Sequence, residues 1–148
     1  MERRDLLKTA AAAVAGALSA SAMAAGQHDH HHDHGSGPSR NAALIAASAD
    51  CLKTGEACLA HCIYLLGNGD TSMAACAQSV NELLASCTAL MKLAGQDSRY
   101  APALAKVAAQ ICENCEKACR KHADHHAECK ACADSCAACL KECRKLAA

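Results

Sequence analysis

The 148-residue chain has no phenylalanine, no tryptophan and only two tyrosines, Tyr64 and Tyr100. It has no net charge either, since 15 Lys+Arg stand against 15 Asp+Glu. Those absences argue against a nucleic-acid binder, which needs a basic face and stacking rings. Large aliphatic residues are scarce as well. Beyond residue 24 there are 12 leucines, 3 isoleucines and 2 valines, barely more than the 13 cysteines. Low hydrophobicity signals disorder only when it comes with high net charge, which is missing. At this length a single folded domain is expected. Something other than leucine and phenylalanine must fill its interior, and the cysteines are the candidates.

Residues 1–24 read as an address. Arg3-Arg4-Asp5-Leu6-Leu7-Lys8 precedes an apolar run, Thr9 to Ala20, that is too short to span a bilayer. Ala22-Met23-Ala24 supplies the small-x-small pattern of a cleavage site. Adjacent arginines followed by two leucines and a lysine resemble a twin-arginine export signal. An ordinary secretory signal that happens to begin with two arginines is the other reading. The twin-arginine route carries folded proteins, so it predicts a domain that folds with its thiols intact before reaching the periplasm. No other segment is long and apolar enough to be a transmembrane helix, which predicts a soluble mature product with no membrane partner. Residues 25–40 form a polar linker containing His28-Asp29-His30-His31-His32-Asp33-His34 and Gly35-Ser36-Gly37-Pro38, predicted to be disordered. Such dense imidazoles bind divalent metals weakly. The stretch reads either as a native metal-attracting tail or as a solubilising tag.

Residues 41–148 repeat one periodicity four times. From Asn41 to Leu66, the positions Leu44, Ser48, Cys51, Gly55, Cys58, Cys62 and Leu65 follow a 4-3-4-3-4-3 spacing, one stripe of a helix. Gly67-Asn68-Gly69-Asp70 breaks it, with Gly67 a ready C′ residue and Asp70 a ready N-cap. The second stripe is Met73, Cys76, Val80, Leu83, Cys87, Leu90 and Ala94, ended by Gly95. Pro102 then stands where a first helical position is expected. The third stripe runs Ala101, Ala105, Ala108, Cys112, Cys115, Cys119 and His122. The fourth is Cys129, Cys132, Cys136, Cys139, Cys143 and Leu146, out of phase with the third by one residue. That slip alone places a turn within His122 to Ala127. Four amphipathic helices with short connections predict an all-α fold, an up-down-up-down antiparallel four-helix bundle with a cysteine-lined core.

All 13 cysteines fit the inward stripes. One or two would read as small buried hydrophobes, but not 13 on one seam. A disulfide framework suits an exported Cys-rich chain, yet the number is odd and i,i+3 and i,i+4 neighbours on a helix suit disulfide geometry poorly. A metal store remains. Structural zinc wants closed groups of four ligands, and a continuous seam such as Cys129-Cys132-Cys136-Cys139-Cys143 offers no such partition. Iron–sulfur ligation uses four thiolates wrapped around one cluster. Soft thiolates select Cu(I), which accepts two-coordinate sites. If each ion takes two thiolates and each thiolate serves two ions, capacity approaches one Cu(I) per cysteine, on the order of 13.

The inward cysteines of four helices, the CxxCxxxCxxCxxxC run from Cys129 to Cys143 and the twin-arginine leader together resemble the exported copper storage proteins. The resemblance covers the whole mature domain. It implies Cu(I) held on bundle-interior cysteines, here Cys51, Cys58, Cys62, Cys76, Cys87, Cys112, Cys115, Cys119, Cys129, Cys132, Cys136, Cys139 and Cys143. It also implies a homo-oligomer, a tetramer, with His and Met residues near an open end. In the bundle the first and third connections lie at one end, with Met73, His61 and the His122/His125/His126 turn. Leu44, Leu90, Met91, Leu104 and Leu146 collect at the other and close it. His61, Met73, His122, His125 and His126 are therefore candidate entry ligands, each with a plainer reading as a solvated or core residue. The expected function is Cu(I) storage, for supply or against toxicity, with protein donors or acceptors of copper as partners. A general Zn/Cd/Cu detoxifier or thiol redox buffer is the alternative. No single cysteine has the separate base and orienting group of a nucleophile, so no enzyme is expected.

Overall fold

Helical periodicity becomes helix in the computed structural model, which describes residues 39–148. The leader (1–24) and nearly all of the linker (25–40) lie outside the described residues. The elements are α1 (Ala42–Gly67), α2 (Ala74–Gly95), α3 (Ala101–Arg120) and α4 (Ala127–Ala147), with a 3-10 turn at Thr71–Met73 leading into α2. Among the described residues there is no strand. Each helix packs on its neighbours in sequence, and α1 closes the ring against α4. That is the up-down-up-down bundle the spacing predicts.

Local chemistry sets the ends, with small differences from the sequence reading. Gly67 is the last residue of α1 rather than its C′ residue. The left-handed backbone that glycine tolerates falls instead at Gly69, φ 91°. Asp70 does cap, but it caps the 3-10 turn: its carboxylate accepts from the Ser72 amide at 3.1 Å. Pro102 is the second residue of α3, still among the positions that need no amide donor. The third stripe ends at Cys119, because Lys121–His126 form the turn and His122 lies outside the helix.

At the far end Asp97 adopts a positive φ of 48°, which aspartate accepts more readily than most residues. Asn41 secures that turn, its amide donating to the Ala94 carbonyl at 3.1 Å and to Asp97 Oδ1 at 3.0 Å. Leu44 and Leu90 are buried there, with Met91, Leu104 and Leu146 half-buried beside them. Outside, Arg120 donates to Asp134 at 2.6 Å and Arg144 to Glu113 at 3.3 Å, exposed pairs joining α3 to α4. Such pairs contribute little, and the interior decides stability.

Candidate metal centre

The interior is sulfur. Every cysteine is buried, none more than 1% exposed, and all 13 are free thiols. Among the described residues the buried polar side chains are three serines, Ser48, Ser86 and Ser135. Sulfurs that approach each other stand 3.5–4.0 Å apart: Cys76 and Cys119 at 3.5 Å, Cys58 and Cys129 at 3.8 Å, Cys115 and Cys132 at 4.0 Å. A disulfide needs about 2.05 Å. With metal–sulfur bonds of about 2.3 Å, sulfurs at these spacings subtend one ion at roughly 100–120°. The spacing suits thiolates that share ions.

In space the seam divides where the linear pattern does not. Four sulfurs, Cys51, Cys87, Cys112 and Cys139, lie within 4.8 Å of one another, one from each helix. A second four, Cys58, Cys62, Cys76 and Cys129, gather toward the other end. Two threes, Cys58-Cys119-Cys132 and Cys115-Cys132-Cys136, run between them through shared members. Cys143 extends the first four, 3.9 Å from Cys139. Closed groups of four therefore do exist. Spacing along α4 alone does not reveal them, because their members come from several helices and only interhelical register brings them together.

Among the α1 stripe positions between Leu44 and Leu65, Ser48 and Gly55 are the two that are not cysteine, and each has a reason. Ser48 is fully buried with its hydroxyl 3.8 Å from Cys139 Sγ, placing a hydrogen-bond donor beside a prospective thiolate. Gly55 faces the Leu84 and Leu83 side chains of α2. A Cβ there would meet Leu84 Cδ2 at 2.9 Å. Val80 and Leu83 of α2 are buried in the same core as the cysteines and supply aliphatic packing there.

Ionisation follows from crowding. Burial pushes the Cys62 and Cys129 thiols up, with the neighbouring Cys58 adding to it. Cys143 accepts a lowering hydrogen bond from Cys112 but is pushed up to about 12 by Cys139 and by burial. Some sulfurs are drawn down by the S–H groups around them: Cys58 and Cys115 first by Cys119, and Cys51 and Cys139 first by Cys112. Cys119 and Cys112 are pushed up in return. A few thiolates, each solvated by neighbouring thiols, is the arrangement a dry core allows.

The entry candidates fall at one end, as the topology requires. His61 Nε2 and His126 Nδ1 are 2.9 Å apart, and the His122 ring centroid lies 6.4 Å from that of His126. His125 is exposed in the same turn, while Met73 is fully buried in the core. Glu128, whose carboxylate is 3.8 Å from His61 Nε2, was not singled out by the sequence reading. Its place in the first turn of α4 becomes meaningful only once α4 is set against α1.

A four-helix bundle whose core is a column of free thiols, with imidazoles at one end, is built as a container for soft metal ions. The copper storage protein family matches residues 37–148, and the chain belongs to that family. It is 32% identical over 106 residues to the uncharacterized cysteine-rich protein YhjQ of Bacillus subtilis (strain 168), covering 72% of this chain and 94% of that one. Among solved structures it resembles the apo form of copper storage protein 3 from Bacillus subtilis, at 32% identity and TM-score 0.63, covering 72% of this chain and 97% of that one. A Cu(I)-bound copper storage protein, BsCsp3, gives 30% identity, TM-score 0.63 and coverage of 72% and 96%. The Streptomyces lividans copper storage protein Ccsp, loaded with 10 copper equivalents, shares the fold at 24% identity and TM-score 0.66, covering 72% and 83%.

Proposed function

We propose that this protein stores multiple Cu(I) ions on the inward thiolates of its bundle, for supply to copper enzymes, for protection from copper, or both. The observation that carries the reading is the 13 buried thiols in a core whose only other buried polar side chains, among the described residues, are serines. Charge then chooses the ion. Nothing cationic is buried there to offset thiolates, so each must be balanced by the metal it holds. One Cu(I) per thiolate gives a neutral core. A divalent ion in a group of four leaves two uncompensated negative charges in a dry medium. The groups of four thus do not favour zinc, even though their geometry would admit it.

All 13 cysteines are assigned as Cu(I) ligands, and ions enter at the end bearing His61, Met73, His122, His125 and His126. Support for that end comes from the imidazoles gathered there and from the aliphatic residues closing the other. Storage rather than catalysis is the role, since a column of 13 buried thiols is redundant for one nucleophile. The leader pattern in residues 1–24 supports export to the periplasm by the twin-arginine route, and the family resemblance supports a homo-oligomer, a tetramer. No helix among the described residues is long and apolar enough to cross a membrane. The alternative is a broad soft-metal detoxifier, and competition separates the two. Reduced protein offered Cu(I) with excess Zn(II) or Cd(II) should retain its full copper load. Substantial displacement of Cu(I) by either divalent ion would favour the detoxifier.

A further inference from the structure

The hydroxyls of Thr54, Ser79, Thr88 and Ser135 each bond to a carbonyl of their own helix, the usual partner for a hydroxyl in a helix. Ser48 turns across the core instead: it is fully buried, and its Oγ lies 3.8 Å from Cys139 Sγ. That separation falls within the 3.5–4.0 Å at which sulfurs of the column face one another. Ser48 therefore stands in the stripe at a ligand's place and at a ligand's distance. Its donor is wrong for Cu(I). A hydroxyl is a hard, neutral oxygen that stays protonated, whereas soft thiolates select that ion. Beside a thiolate the hydroxyl can only donate. Past it, α1 gives the core Leu44, α2 gives Leu90 and Ala94, and α3 gives Ala101 and Ala105, while Cys143 is the last sulfur of α4.

We infer, resting on the storage reading, that Ser48 sets the capacity of the store by ending the thiolate column at its closed end. It fills the position of a further ligand with a group that donates a hydrogen bond and binds no copper. The consequence is one of charge. A cysteine at this position adds one thiolate, and a Cu(I) shared with Cys139 balances it, so a neutral core takes one ion more. Serine adds no charge, and the layer next to the aliphatic end stays free of ions. Burial alone does not make such a position. Ser86 is buried too, but its hydroxyl has no hydrogen-bond partner, so no sulfur stands within that reach. A cysteine there would offer Cu(I) no second thiolate.

Native mass spectrometry counts bound ions one by one. The full chain, reduced and loaded anaerobically with Cu(I), is compared with Ser48→Cys, Ser48→Ala and Ser86→Cys, each first shown to be helical by circular dichroism. We expect Ser48→Cys to hold one Cu(I) more than the wild type, and the other two variants to match it. A wild-type load of only a few ions counts against storage itself. With the wild type fully loaded, an unchanged count in Ser48→Cys or an extra ion in Ser86→Cys overturns the role of Ser48. Should Ser48→Cys not fold, Ser48→Ala still decides: an ion lost there shows that the hydroxyl is itself a ligand, and an unchanged count supports the assignment.

Discussion

At the residue scale the most telling seam positions are those without sulfur. Gly55 of α1 stands against the end of the Leu84 side chain of α2, with no room for a Cβ. Enlarging it forces two helices apart or drives Leu84 off its rotamer. Gly55→Val should therefore destabilise the apo bundle by about 1–3 kcal/mol in chemical denaturation. In a Leu84→Ala background the same change should cost less, because the shortened side chain vacates the space. Equal costs in both backgrounds would show that the approach is not limiting. Ser48 was visible in the sequence as a stripe position but not as a partner of Cys139. That pairing joins α1 to α4, and spacing along one helix says nothing about register between two.

At the scale of elements, the four stripes were legible because a period of 3.6 sorts residues onto faces whatever the partner. The one-residue slip between Cys119 and Cys129 located the third turn correctly. The slip could not show that α3 stops at Arg120 and leaves His122 in the turn. Nor could spacing show that the cysteines gather into fours and threes, since each group draws on three or four helices or on the α3–α4 pair. The His122–His126 turn is the element on which the proposed entry depends. Replacing His122, His125 and His126 together with alanine should slow Cu(I) loading while leaving final capacity near that of the wild type. The thiols that hold the load lie below the turn. An unchanged loading rate in stopped-flow uptake would remove the turn from the entry route.

Across the whole molecule, a core with few large aliphatic residues is joined to a column of buried thiols. Thiols that burial pushes up, such as Cys62 and Cys129, are protonated at neutral pH, so Cu(I) that binds them displaces their protons, and uptake weakens as pH falls. Ion binding confined to the folded state also adds to folding stability, compensating for an interior with few large aliphatics. Both properties depend on the column acting as one multi-ion store, which distinguishes it from a bundle with one discrete site. The most direct measurement is an anaerobic titration of the reduced chain with Cu(I) against a competing chromophoric chelator. Tight uptake should continue to about one ion per cysteine, on the order of 13. Saturation at one to three ions would contradict the account and leave most of these thiols as packing.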